Sequence, residues 1–313
     1  MSTETSAQLI PVLGSQRAGI SAMQFLKIGV GARAAGMGEA FVPISNDASA
    51  LFWNPAGIVQ FARPEIFISH TEWVADVKHE FFGAVYHLTT SDALGVSVNA
   101  LHMDEMQVTT ELQPRGTGEF FKFGDIAFGL TYARKMTDQF GFGLTVKYAN
   151  ETLAALKMRS VMVDLGTYYW TGLGTSRFSV AVTNFGAQIS PRGSVTLLNG
   201  TTAGSFQSFS PPTIFRIGFA VESVDNEGSR LTTAVQLNHP NDNAENLNLG
   251  IEYSWHNLLH LRGGYKVNVD EQRFAVGGGI SLPLSIADFS FDYAYTSFNR
   301  LGNVHRISVN LRL

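Results

Sequence analysis

With 313 residues, no cysteine and a net charge of −4, the chain lacks the thiols for disulfides or cysteine–zinc sites. It also lacks the positive field that a nucleic-acid partner rewards, so no nucleic-acid partner is expected. Only 15% of its residues are charged, against about 25% in ordinary soluble domains, whereas aromatics reach 12% and glycines number 31; this balance fits an all-β chain, and suits one in contact with lipid.

In chain order, residues 1–21 read as an N-terminal tail. Thr5-Ser6-Ala7 before Gln8 resembles the small-residue end of a signal-peptide cleavage site. Residues 1–7 therefore read as a signal remnant, with a plain flexible tail as the alternative. No run of about 18 apolar residues occurs, so no transmembrane helix is expected.

Residues 22–62 hold the densest glycines. From Gly29 the chain reads GVGARAAGMGEAFVPISNDASALFWNPAG, with Gly31, Gly36 and Gly38 close behind and Asn54, Pro55 and Gly57 at the end. A dinucleotide loop needs G-x-G-x-x-G between a strand and a helix. Here the spacing is G-x-G-x-x-x-x-G-x-G, no Gly-Lys-Ser/Thr occurs, and the residues that follow have the period of strands. The glycines instead fit a compact plug or hatch packed closely against a barrel wall. Asn46 or Asp47 is placed to cap a short helix over 48–53, which Pro55 and Gly57 would end.

From residue 63 onward the pattern has period two, in which alternate side chains face opposite sides of a sheet. Phe142, Leu144, Val146 and Tyr148 alternate with Gly141, Gly143, Thr145 and Lys147. Leu247, Leu249, Ile251 and Tyr253 alternate with Asn248, Gly250, Glu252 and Ser254. Ile307, Val309, Leu311 and Leu313 alternate with Arg306, Ser308, Asn310 and Arg312. About fourteen such segments fall near 64–72, 81–90, 92–103, 123–134, 139–152, 157–170, 176–185, 213–223, 229–238, 246–255, 258–267, 271–281, 286–296 and 304–313.

An even number of strands near ten residues long, joined by turns, is the pattern of an outer-membrane barrel. A soluble sandwich also alternates, but its strands average about five or six residues. The mid-strand charges Lys147, Asp164, Arg216, Glu252, Arg262, Lys266 and Asp292 all fall on the face opposite the large apolar side chains. In a barrel those charges face the lumen and the apolar face meets lipid. The expected fold is therefore an all-β, 14-stranded antiparallel transmembrane barrel over 63–313, with 22–62 as its plug.

Tight turns at 90–92, 136–138, 256–257 and 283–284 alternate with longer connections, chief among them 104–122 and 186–212. Outer-membrane barrels keep short turns in the periplasm and long loops outside, which places the N- and C-termini in the periplasm. The loop 186–212 carries Val195, Leu197, Leu198, Phe206 and Phe209 on a Gly/Ser/Thr-rich scaffold. The loop 104–122, with Met103 beside it, carries Met106, Leu112, Phe120 and Phe121. Such apolar surface reads either as a docking face for a partner or as residues folded back over the barrel mouth. No catalytic constellation appears: the histidines lack metal spacing and no G-x-S-x-G elbow occurs. No enzyme activity, metal or cofactor is expected, and the lumen charges read as an internal ion-pair network or a polar channel lining.

The stretch quoted above resembles the N-terminal signature of the PorV/PorQ family of FadL-like fourteen-stranded outer-membrane barrels. The upstream IPVLGSQRAGISAMQFLKIG and the terminal HRISVNLRL are similar to the same family. Leu313 departs from it, because outer-membrane barrels usually end in an aromatic. The resemblance implies a non-enzymatic, integral outer-membrane carrier in type IX secretion. Such a carrier receives cargo from the translocon through the cargo's C-terminal signal domain and passes it to sortase or attachment proteins. Two other roles stay open on the sequence: a FadL-like conduit for hydrophobic small molecules, and a structural scaffold of a surface assembly.

Overall fold

A computed structural model describes residues 19–196 and 201–313. Fourteen antiparallel strands close into one barrel, each paired with its neighbours in sequence. They are β1 (Glu65–Glu72), β2 (Lys78–His87), β3 (Asp92–His102), β4 (Phe123–Lys135), β5 (Phe140–Leu153), β6 (Leu156–Trp170) and β7 (Arg177–Gly186). The circuit continues with β8 (Ile214–Asn226), β9 (Ser229–Pro240), β10 (Asn246–Trp255), β11 (Leu259–Val267), β12 (Phe274–Pro283), β13 (Asp288–Ser297) and β14 (Asn303–Arg312). Pairing of β1 with β14, Glu65 opposite Arg312 and Thr71 opposite Arg306, removes the last free edge. Every strand thus finds its backbone partners inside the protein, as a bilayer demands.

The period-two pattern fixes which side chains face out. Leu249, Ile251 and Tyr253 of β10 are exposed, while Asn248, Glu252 and Ser254 between them are buried. Strand β5 does the same, with Phe142, Val146 and Tyr148 outside and Thr145 and Lys147 inside. Two strands start about three residues from their expected positions: β2 at Lys78 rather than 81, and β12 at Phe274 rather than 271. For β2 the cause is visible. Its inward residues Phe81 and Val85 are apolar and buried, so the run FFGAVY carries no alternation to mark an end.

Inward apolar residues suit that place because a segment of the chain packs inside the barrel against them. Residues 21–61 form two short helices, α1 (Ala32–Gly36) and α2 (Ala50–Trp53), joined by 3-10 turns and packed against the inner wall. Met37, Phe41, Ile44, Leu51, Phe52, Trp53 and Ile58 form one buried cluster with the wall residues Phe67, Phe81 and Val85. Wall glycines make room for it. A Cβ at Gly264 would lie 1.9 Å from the Gly38 nitrogen, and one at Gly143 would lie 2.3 Å from the Pro55 carbonyl carbon. At Gly36, a Cβ would approach the Gly277 Cα to 3.0 Å. The expected helix over 48–53 is shorter, Ala50–Trp53, and its N-cap Ser49 makes no side-chain cap. Asp47, one of the two expected caps, accepts the Ser49 amide at 3.0 Å, and its carboxylate is also held by Arg33. The helix ends at Trp53, where Asn54 before Pro55 is extended, and Pro55 then starts a separate 3-10 turn through Val59, capped by the Asn54 side chain, with Gly57 inside it.

Connections 88–91, 136–139, 256–258 and 284–287 lie at one end of the barrel with Leu313, and 103–122 and 187–213 lie at the other. At that second end long and short mix: Ala154 and Ala155 alone join β5 to β6 there, so the short–long alternation expected from sequence is only partial. The described N-terminal residues also sit at the long-loop end, where Ala22 donates its amide to the Ser210 carbonyl at 3.1 Å. The chain therefore crosses the bore from the long-loop end to the turn end before starting β1. Residues 19–26 and Leu313 lie at opposite ends rather than sharing one, while residues 1–18 fall outside the described residues.

Candidate functional site

Two regions gather the residues that the sequence singled out: the charged interface between wall and inner segment, and the long loops. At the interface every expected lumen charge points inward. Glu252 is its hub. It accepts two hydrogen bonds from Arg33 of α1, at 2.8 and 2.9 Å, and one from Arg262 at 2.6 Å. Arg262 reaches on to Asp292 at 2.6 Å, and Arg33 to Asn46 at 2.8 Å and Asp47 at 3.1 Å. Lys266 pairs with Glu39 at 2.6 Å, and Lys147 with Asp164 at 2.7 Å. Arg216 donates to Thr183 at 2.9 Å and lies over the Trp53 ring. A register shift between β6 and β7 turns Asn184 inward with positive φ, so that its amide meets Asp164 at 2.7 Å and its side chain meets Lys147.

Bonds to backbone groups stitch the same interface. Gln236 accepts the amides of Phe41 and Val42, and Arg177 donates to the Pro43 carbonyl at 2.9 Å. Asn54 donates to the Thr167 carbonyl at 3.1 Å. Sequence reasoning missed the inner-segment partners Arg33 and Glu39 and the wall residues Arg177 and Arg306. A lone charge among glycines has no periodicity to report its direction, although charges of both signs, Lys27, Arg33, Glu39 and Asp47, inside a glycine- and alanine-rich plug are a signal that partners wait on the wall. Of the glycine-rich motif, Gly36 and Gly38 meet the wall strands β12 and β11, and Gly31 faces Phe67. Gly29 lies against Glu39 and Trp53, and Gly57 against Ser45, so both serve packing within the inner segment.

The long loops differ from each other. Connection 103–122 is a projecting hairpin in which Met106 pairs with Phe121 and Gln107 with Phe120. Leu112 at its tip is 94% exposed and Phe120 is 61% exposed, with Met106 also open to solvent. Connection 187–213 folds back over the mouth. Ile189 and Phe209 exchange backbone hydrogen bonds at 2.7 and 2.8 Å, and Phe209 packs against a buried cluster that includes Met23, Phe25, Leu26 and Met162. Val195 belongs to a short ribbon with Ala203, and Phe206 is half-buried. Leu197 and Leu198 lie outside the described residues.

At the same mouth, Asp242 anchors the start of the inner segment. Burial alone would raise its carboxyl. Hydrogen bonds from Lys27 at 2.7 Å, from Ser21 and from Gln24 at 2.8 Å outweigh that and hold it below its ordinary range. Among the described residues no cluster of His, Asp or Glu has the makings of a metal site.

The model of one family, described as type IX secretion system protein PorV, matches residues 13–239, the span from the inner segment through most of β9. The chain belongs to the PorV family. PorV-family membership and the closed barrel together make it an integral outer-membrane protein without enzymatic activity. Solved barrels share the fold at low identity. The toluene transporter TbuX of Ralstonia pickettii is 12% identical, with a TM-score of 0.60 over 91% of this chain and 97% of that one. The monoaromatic hydrocarbon channel CymD is 13% identical, with a TM-score of 0.59 over the same shares. A FadL homologue of Pseudomonas aeruginosa is 12% identical, with a TM-score of 0.57 over 96% of this chain and 99% of that one. At such identity the likeness carries the FadL-like fold alone. No curated protein sequence matches the chain.

Proposed function

We propose that this PorV-family barrel is a cargo-binding or shuttle component of type IX protein secretion and cell-surface attachment, in which residues 22–62 act as a fixed plug. The observation that carries the reading is the contrast between an inner segment tied to the wall and an exposed apolar hairpin. The inner segment is tied to the wall by buried ion pairs and by glycine contacts too close for any side chain. The 103–122 hairpin meanwhile displays Met106, Leu112, Phe120 and Phe121 to solvent. Large apolar side chains of this kind form the centres of protein interfaces, and methionine suits an adaptable one. By the outer-membrane rule the long-loop end faces outward and Leu313 lies in the periplasm. Cargo signal domains, translocon and sortase or attachment proteins would then meet the hairpin from outside.

A second reading, a conduit for hydrophobic molecules, draws on a cavity of about 420 Å³ at the long-loop mouth, lined in part by Phe25, Trp73, Leu101, Phe123 and Phe298. The two are separated by placing a photo-crosslinking residue at Leu112 or Phe120, and as a control at Leu173, exposed at the turn end. In native outer membranes the hairpin positions should capture secretion-system proteins or cargo and Leu173 should not. If the hairpin captures nothing, and Leu112→Ala with Phe120→Ala leaves cargo anchoring normal, the shuttle reading fails. Loss of aromatic-hydrocarbon uptake on narrowing the cavity, with Leu101→Trp, would then favour the conduit.

A further inference from the structure

Arg306 of β14 points into the wall beneath the inner segment and is 0% exposed. None of its three guanidinium nitrogens has a hydrogen-bond acceptor among the described residues. Its nearest carboxylate, Glu39, lies 3.7 Å from Nη1, beyond hydrogen-bond reach. Glu39 is already committed: it holds Lys266 at 2.6 Å and Gln272 at 3.2 Å. One carboxylate therefore faces two buried cations. The Trp73 ring covers the guanidinium at 5.5 Å but accepts no conventional hydrogen bond from it.

The neighbours of Arg306 repeat the same shortage. Thr71 sits directly across from it on β1, and His79 directly across from Thr71 on β2. Thr296 on β13 is one inward step away, and Asn99 on β3 is one inward step from His79. The Thr71 and Thr296 hydroxyls, both polar atoms of the Asn99 amide and His79 Nε2 are all buried without a partner among the described residues. Buried polar groups are almost always satisfied, and an unpaired buried guanidinium is among the costliest exceptions. What Arg306 lacks is an acceptor carrying negative charge, since its guanidinium can only donate, the two hydroxyls beside it can donate as well, and the unmatched charge is positive.

We propose that Arg306, with the Thr71 and Thr296 hydroxyls, binds a small monovalent anion of halide size between the barrel wall and the inner segment. Size follows from position. The cavity at the long-loop mouth is lined by Trp73 and Glu39, and Arg306 lies behind them, outside its lining. A tetrahedral oxyanion would have to displace one of the two. The bound anion neutralises Arg306, which leaves Glu39 to Lys266 and so keeps the inner segment fastened to β11.

Bromide serves as the probe. Crystals of the full barrel grown or soaked in bromide should show an anomalous peak within hydrogen-bond distance of Arg306. In detergent, replacing gluconate by bromide or chloride at constant ionic strength should raise the unfolding temperature along a saturating curve. Arg306→Gln should weaken half-saturation by about tenfold or more, the scale of losing a charge-assisted bond, and the exposed Arg230→Gln should leave it unchanged. If Arg306→Gln does not fold, Thr71→Val with Thr296→Val reports on the same site through the same titration. Density at Arg306 without anomalous signal would mean water and would overturn the proposal. So would a halide dependence that is equal in wild type and in the Arg306 or threonine variants.

Discussion

Replacing Glu252 by Gln tests whether the inner segment is held by charge. The substitution keeps shape and removes one negative charge from a carboxylate that is 4% exposed. Arg33 loses its two-point contact at 2.8 and 2.9 Å, because the amide keeps only one accepting oxygen, and the bond from Arg262 at 2.6 Å loses its charge assistance or is broken. Breaking a buried pair by removing one partner typically costs about 3–5 kcal/mol. Here each cation keeps one anion, Arg33 its Asp47 and Arg262 its Asp292, so the lower end, about 3 kcal/mol, is expected. The assay is the denaturant midpoint of the refolded barrel in detergent, read alongside the heat-induced mobility shift on gels. Asp225→Asn is the comparison. Its pair with Arg230 is about half-exposed on both sides, and such surface pairs contribute about 0–1 kcal/mol. A cycle with Arg33→Gln assigns the loss to the contact between segment and wall. Equal effects of Glu252→Gln and Asp225→Asn, or strict additivity with Arg33→Gln, would refute the claim that this contact fastens the segment.

Two adjacent glycines should respond in opposite ways. Gly264→Ala drives a methyl into the Gly38 nitrogen at 1.9 Å and should cost about 1–3 kcal/mol, whereas Gly263→Ala faces lipid with only Ile251 near, at 3.5 Å, and should leave the unfolding midpoint almost unchanged. Ile251→Arg, mid-strand on the lipid face, should cost about 2–4 kcal/mol, while Leu284→Arg in an exposed turn should cost little, as seen in folding yield into lipid vesicles. The Asp242 carboxyl is held below its ordinary value, so the stability it gives is complete above about pH 4 and is lost as pH falls through the lowered value. Proteolysis within 19–27 should therefore accelerate on acidification below about pH 4 in the wild type, and Asp242→Asn should be susceptible already at neutral pH.

How much was legible in the sequence can be argued residue by residue. The alternation of Leu249, Ile251 and Tyr253 with Asn248, Glu252 and Ser254 determined strand, facing and lipid contact at once, because a strand's side-chain period is two and a bilayer tolerates no exposed charge at mid-depth. The NPAG turn and the glycine spacing likewise showed a segment built for close packing and unlike a nucleotide loop. Only the closed barrel could decide which partners those charges find. Arg33 and Glu252 lie 219 positions apart, and Lys266 and Glu39 lie 227 apart, distances over which no local pattern carries information. The same holds for Phe209, which turned inward onto the buried cluster around the inner segment's start while Leu112 stayed in solvent. Both read as apolar residues on a polar loop. What separates them is whether the crossing N-terminal segment passes beneath, and that is settled by the path of residues 21–26 through the long-loop mouth, a property of the assembled chain.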